Sequence, residues 1–182
     1  MIEQPNPVKQ YLFEFIEKSE EKFQLLFSQT KMAEIIDDIL TNCFDKVSCM
    51  ANKEESIGVL ITGILHYMLT NAMIPSQRKV KYYGVDLDIV IPDLKTLEKD
   101  PKKTLVIYIA KTLNKNTINE NLKQLQNIQP ENQNVWIVSS QDLGFENTYV
   151  IQKEKSSFSN IIYDIGEFVN VKGNNKFKIL PV

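Results

Sequence analysis

Residues 84–93 read GVDLDIVIPD and residues 104–111 read TLVIYIAK, and these two stretches decide the fold. In the first, Val85, Leu87, Ile89 and Ile91 recur with a period of two, which predicts a strand with one apolar face. Asp86, Asp88 and Val90 then share the other face. Pro92-Asp93 ends the run. The second stretch is almost continuously apolar and rich in branched and aromatic residues, the pattern of a central strand covered on both sides.

Working outward, Arg78 to Tyr83 predicts a partner strand joined to Val85–Ile91 at Gly84. Leu94 to Lys103 reads as a charged connection. A helix follows over Thr117–Gln129, with Ile118, Leu122, Leu125 and Ile128 inward. Asn134–Ser139 (NVWIVS) is a second dense apolar strand. A strand, a helix and a strand in that order imply that 104–110 and 134–139 run parallel. Thr148–Gln152 and Lys176–Leu180 predict short strands, the latter a terminal edge, and Ser159–Val169 a helix.

Three helices precede the strands. One runs from Val8 to Ser28, with Leu12, Phe15, Phe23 and Leu26 on its stripe. The next runs from Lys31 to Val47 with Ile35, Ile39 and Cys43 inward, and the third from Glu54 to Met73 with Ile57, Ile61, Ile64 and Met68 inward. Gly58 and Gly63 interrupt the third, each costing about 1 kcal/mol against alanine, which points to close backbone packing there.

Composition narrows the function classes. The 182 residues are 43% hydrophobic and 24% charged, an ordinary globular balance. No apolar run approaches the roughly 18 residues of a membrane span, and the opening MIEQPNPVKQ has no signal pattern, so the expectation is a cytoplasmic protein with no membrane partner. Net charge is −2, and the 21 basic residues include a single arginine, Arg78. Any nucleic-acid footprint is therefore local, and guanine reading by arginine forks is disfavoured. Cys43 and Cys49 pair with no metal-ligand spacing, and the sole histidine, His66, lies in another segment. There is no Walker loop and no GxGxxG.

The residues with chemistry to offer are Asp86 and Asp88, at i and i+2 on one strand, and Lys111, at the end of the next. A carboxylate pair can share a hard divalent cation with water and phosphate oxygens, and a lysine beside it can orient a metal-bound water. The same residues also fit a solvated sheet face with a lysine capping a strand.

From Glu54 to Ser139 this order of elements, with Asp88 in LDIVIP and Lys111 in LVIYIAK, resembles the restriction-endonuclease-like, or PD-(D/E)XK, nuclease superfamily. The flavour is that of archaeal Holliday-junction resolvases. The resemblance implies an α/β core of helix, three-stranded meander, helix and parallel strand over 54–182, with residues 1–50 a helical extension packed on it. It also implies a magnesium ion held by Asp88 and Asp86, with Lys111 and a helix glutamate, Glu54, as further catalytic residues, and a homodimer on nucleic acid. The acidic position two before Lys111 is Ile109. Two functions follow: a Mg2+-dependent endonuclease, or a nuclease-fold module that has lost cleavage and binds nucleic acid or protein. A structural or regulatory α/β protein outside the superfamily is the third. Arg78, Lys79, Lys81 and Lys115 are the candidate phosphate contacts, and equally the solvated edge of a sheet.

Overall fold

A computed structural model describes residues 6–172. Four helices come first: α1 (Pro7–Lys18), α2 (Glu20–Ser28), α3 (Met32–Ser48) and α4 (Lys53–Asn71). The single helix expected over 8–28 is two, because the chain turns at Ser19, whose N–H is shared among carbonyls of the last turn of α1. The turn lets Leu12 on α1 and Phe23 on α2 reach one core. Asn6 caps α1, its side chain accepting from the N–H groups of Val8 and Lys9, the standard remedy for orphan donors at a helix start.

A five-stranded sheet follows, in the order β1 (Gln77–Tyr82), β2 (Val85–Ile91), β3 (Leu105–Ile109), β4 (Val135–Ser139) and β5 (Thr148–Val150). The first three strands pair antiparallel; β3–β4 and β4–β5 pair parallel. The connection 94–103, expected to be irregular, contains a short helix, α5 (Leu94–Lys99), and a 3-10 turn. Asp93 caps α5 through Thr96 N–H, and Leu97 is buried under the sheet, which explains the order. Between β3 and β4 lies α6 (Lys115–Gln126), and α7 (Ile161–Lys172) ends the described chain. The strand expected at Lys176–Leu180 lies outside the described residues. Among those described, no helix is long and apolar enough to cross a membrane.

Two apolar clusters hold the layers together. One joins α1–α4 and α7 to one face of the sheet through Leu105, Ile107 and Ile109 of β3 and Ile89 and Ile91 of β2. The other lies between the opposite face and α5–α6, built from Leu87, Val90, Val106, Leu97 and Leu125. Each fully buried Ile or Leu contributes roughly 1.5–3 kcal/mol relative to exposure. Two buried amides fix the start of β3 against β4. Gln129 Nε2 donates to the carbonyls of Thr104 (2.6 Å) and Pro101 (2.9 Å), and Asn134 Nδ2 to those of Pro101 and Lys102 (both 3.2 Å).

The cluster membership corrects the alternation expected for 85–91. Leu87 does not share a face with Ile89 and Ile91; it packs with Val85 and Val90 on the α6 side. Its partner strand shows why. Lys79 adopts a left-handed backbone, φ +49°, between the pairs Arg78–Ile89 and Val80–Leu87. The β1–β2 hairpin therefore turns over at Lys79, directly opposite Asp88. Above this point Val80 and Tyr82 face α6, while below it Arg78 faces α1 and α4.

The hairpin itself closes through Tyr83 and Gly84, both at positive φ (+46° and +80°), the two-residue turn whose twist matches that of the strands. Nothing lies within 4 Å of where a Gly84 Cβ would stand, so a side chain there acts on the backbone alone. Gly84→Ala is expected to lower stability by about 1 kcal/mol, read as a fall of about 3 °C in Tm. Gly84→Asn should lose less, and equal melting of all three proteins would contradict the turn.

Candidate functional site

The site forms where β2 leaves β3. The ladder between them runs from Ile91–Leu105 to Ile89–Ile107 and stops. One residue further, the carboxylate of Asp88 takes over: its Oδ2 accepts the Ile109 N–H at 2.9 Å, in place of a strand carbonyl. Its Oδ1 lies 2.9 Å from Lys111 Nζ. The Asp88 side chain is 13% exposed and that of Lys111 52%, so this is a half-sheltered ion pair with a wet rim.

Lys111 reaches Asp88 because β3 ends at Ile109, and α4 leaves room beside it. A Cβ on Gly58 would stand 3.2 Å from Lys111 Cγ and 3.6 Å from Ile109 Cγ2. The close backbone approach expected of this glycine is thus an approach to the site lysine. Glu54, one turn earlier on α4, accepts a 2.6 Å hydrogen bond from Ser140 Oγ, just past β4. Glu54, Lys111 and Asp88 consequently belong to one end of the sheet.

The pocket beside Asp88, about 370 Å³, opens toward α6 and carries Tyr108, Thr112, Thr117, Asn121 and Gln124 along with Asp86 and Lys111. Asn121 Nδ2 donates to the Tyr108 hydroxyl at 2.9 Å. Burial pushes that phenol above its ordinary pKa, and the Asn121 bond works against the shift. Tyr108 is therefore a neutral phenol near pH 7. The helix contributes no acid to this wall: Thr117, Asn121 and Gln124 recur at i, i+4 and i+7 as the polar counterpart of the buried stripe. That periodicity was present in the sequence, and it is the signal by which these three residues can be found.

The other candidates disperse. Asp86 lines the pocket rim with its side chain 88% exposed, 4.0 Å from Lys81 Nζ. Arg78 and Lys79 line a different groove, between β1 and the helices α1 and α4. Lys115 is exposed in the first turn of α6. Ile109 is 1% exposed, so the position two before Lys111 offers buried hydrocarbon. Among the described residues no three His, Cys, Asp or Glu side chains gather as a cation site. With both Asp88 oxygens engaged and Ile109 beside them, the donors as arranged do not fit a hard divalent ion, which needs six or more oxygens.

The mixed α/β architecture matches a restriction-endonuclease-like fold. The structure is similar to that of a restriction endonuclease, PspGI, in complex with substrate DNA: TM-score 0.50 and 17% identity, over 90% of this chain and 73% of the other. No family model matches the sequence, and no curated protein sequence does.

The two bonds to Asp88 differ in what they protect. Removing the acceptor orphans the backbone N–H of the buried Ile109, so Asp88→Ala should cost about 2 kcal/mol. Asp88→Asn keeps an amide oxygen for Ile109 and should cost less. Lys111→Met, at a half-exposed pair, should cost no more than about 1 kcal/mol. Urea melts of the three variants check the order; a Lys111 effect equal to that of Asp88→Ala would overturn it.

Proposed function

We propose that the protein is a nuclease-fold module that binds nucleic acid without cutting it. The observation that carries this reading is Ile109. Where a second carboxylate would complete a divalent-cation site, the chain presents a side chain buried against α4. The remaining carboxylate serves the fold: it terminates the β2–β3 ladder, and the Lys111 ammonium supplies the positive charge it needs. The binding half of the proposal draws on the similar restriction endonuclease, whose structure is of a complex with substrate DNA. It draws also on Arg78 and Lys79, which take part in no ion pair among the described residues.

One observation favours a second reading, a Mg2+-dependent endonuclease with Asp88, Glu54 and Lys111 as catalytic residues. Glu54 stands at the same sheet end and, among the described residues, its side chain bonds to the flexible hydroxyl of Ser140. In that reading Glu54 rather than Asp86 is the second carboxylate, and the homodimer follows, because cutting two strands takes two sites.

Manganese binding, followed by water-proton relaxation on the wild type and Asp88→Asn, separates the two. The module reading expects no difference between the proteins, and no Mg2+-dependent cleavage of junction, flap or single-stranded substrates. Binding in the wild type that disappears in Asp88→Asn, together with cleavage, would overturn it in favour of the endonuclease.

A further inference from the structure

The groove that takes Arg78 and Lys79 away from the Asp88 pocket has a chemistry of its own. It is about 890 Å³, bounded by α1, α4 and β1. Lys9 of α1 joins Arg78 and Lys79 along it, and among the described residues no acidic side chain lines it. In a chain of net charge −2 this is a local excess of positive charge. None of the three cations forms an ion pair among the described residues, whereas Lys81, two residues along β1, lies 4.0 Å from Asp86. The turn-over at Lys79 makes the division: it sends Arg78 and Lys79 to the helix side.

Between the cations the walls are apolar and aromatic. Leu12, Ile16 and Val59 line the groove, and Phe13 stands in it with 62% of its surface exposed. Around them Thr62, Thr70, Asn71 and Ser76 offer neutral hydrogen-bonding groups. Partial burial, and then the Arg78 guanidinium, lower the His66 pKa, so its imidazole is neutral near pH 7, with one donor and one acceptor. The groove follows α4 from Val59 to Thr70, a rise of about 17 Å, or about five stacked nucleotides.

We infer that this groove holds a single strand of nucleic acid, with phosphates on Lys9, Arg78 and Lys79 and a base stacked on Phe13. A duplex presents phosphates outward and would leave the apolar wall and Phe13 uncovered. Only an unpaired strand offers base faces to apolar and aromatic side chains and base edges to neutral amides and hydroxyls. The inference rests on the nucleic-acid reading above and places its contact surface on the α1–α4 side of the sheet, away from the Asp88 pocket, with α1 as one wall.

Fluorescence anisotropy of a labelled dT12, its RNA counterpart U12 and a 12-base-pair duplex tests it at two salt concentrations. The expected order is single strand over duplex. Lys9→Glu and Arg78→Glu should each flatten the salt dependence by about 0.7 in log–log slope. Phe13→Ala should weaken binding about tenfold with the slope unchanged. Circular dichroism melts of these exposed-site variants confirm that each is folded. Three results would overturn the inference: wild-type affinity in all three variants with loss in Lys111→Met, which would return binding to the Asp88 pocket; preference for duplex; or equal competition by polyglutamate with Phe13→Ala silent, which would make the groove a site for acidic protein segments. Failure of the wild type to bind any of the three oligonucleotides would instead overturn the nucleic-acid reading itself.

Discussion

One hydrogen bond, from the backbone N–H of Ile109 to the carboxylate of Asp88, governs where β2 parts from β3. Up to Ile89 the two strands satisfy each other; beyond it, an apolar side chain at position 88 would leave the amide of buried Ile109 unpaired. A carboxylate is the short side chain that can accept this bond and still hold a second partner, and Lys111 fills that role. β3 remains paired to β4 through Ile109–Val138, so the fork opens on one side only. The candidate pocket is the space left by that fork.

The fork has a counterpart on β1. A lysine at φ +49° costs about 1–2 kcal/mol relative to the right-handed regions. Burial of Val80 and Leu87 on the α6 side, with Ile89 and Ile91 on the other, offsets that cost, because both apolar groups need opposite faces within one hairpin. The same inversion parts the charges of β1. Lys81 stays beside Asp86 at the turn, while Arg78 and Lys79 join Lys9 across the sheet. Two surfaces of different character, a mixed-charge pocket and an apolar-walled groove whose charges are all positive, thus arise from one irregular residue.

Much of this was legible in the residues. The central strands, the parallel pairing of β3 with β4 and the buried faces of α3, α4 and α6 follow from periodicity, because each apolar stripe has a single partner to meet. Asp88 and Lys111 could be named as a pair because strand ends at the same side of a sheet bring them together. What escaped was set by irregular backbone or by long-range contact. Alternation assigned Leu87 to the face of Ile89, since no local signal marks a lysine for left-handed geometry. The break at Ser19 was hidden by an apolar stripe that continues across it. Helix α5 was masked by its charges, although Asp93 and Leu97 carry its cap and its anchor. Lys9 and Phe13 became noticeable only once α1 was seen to flank β1.

The inversion at Lys79 also bears on how the molecule behaves in crowded solution. Among the described residues β1 is an edge strand, and an edge of six regular residues would be a template onto which another chain could add by main-chain pairing. A residue with left-handed torsion in its middle turns the backbone donors and acceptors on either side out of a common line, much as a bulge does. At the opposite edge of the sheet among the described residues, β5 has three residues, a short border for another chain to pair with. Resistance to edge-to-edge aggregation is therefore written into the backbone of one border of the sheet and into the brevity of the other.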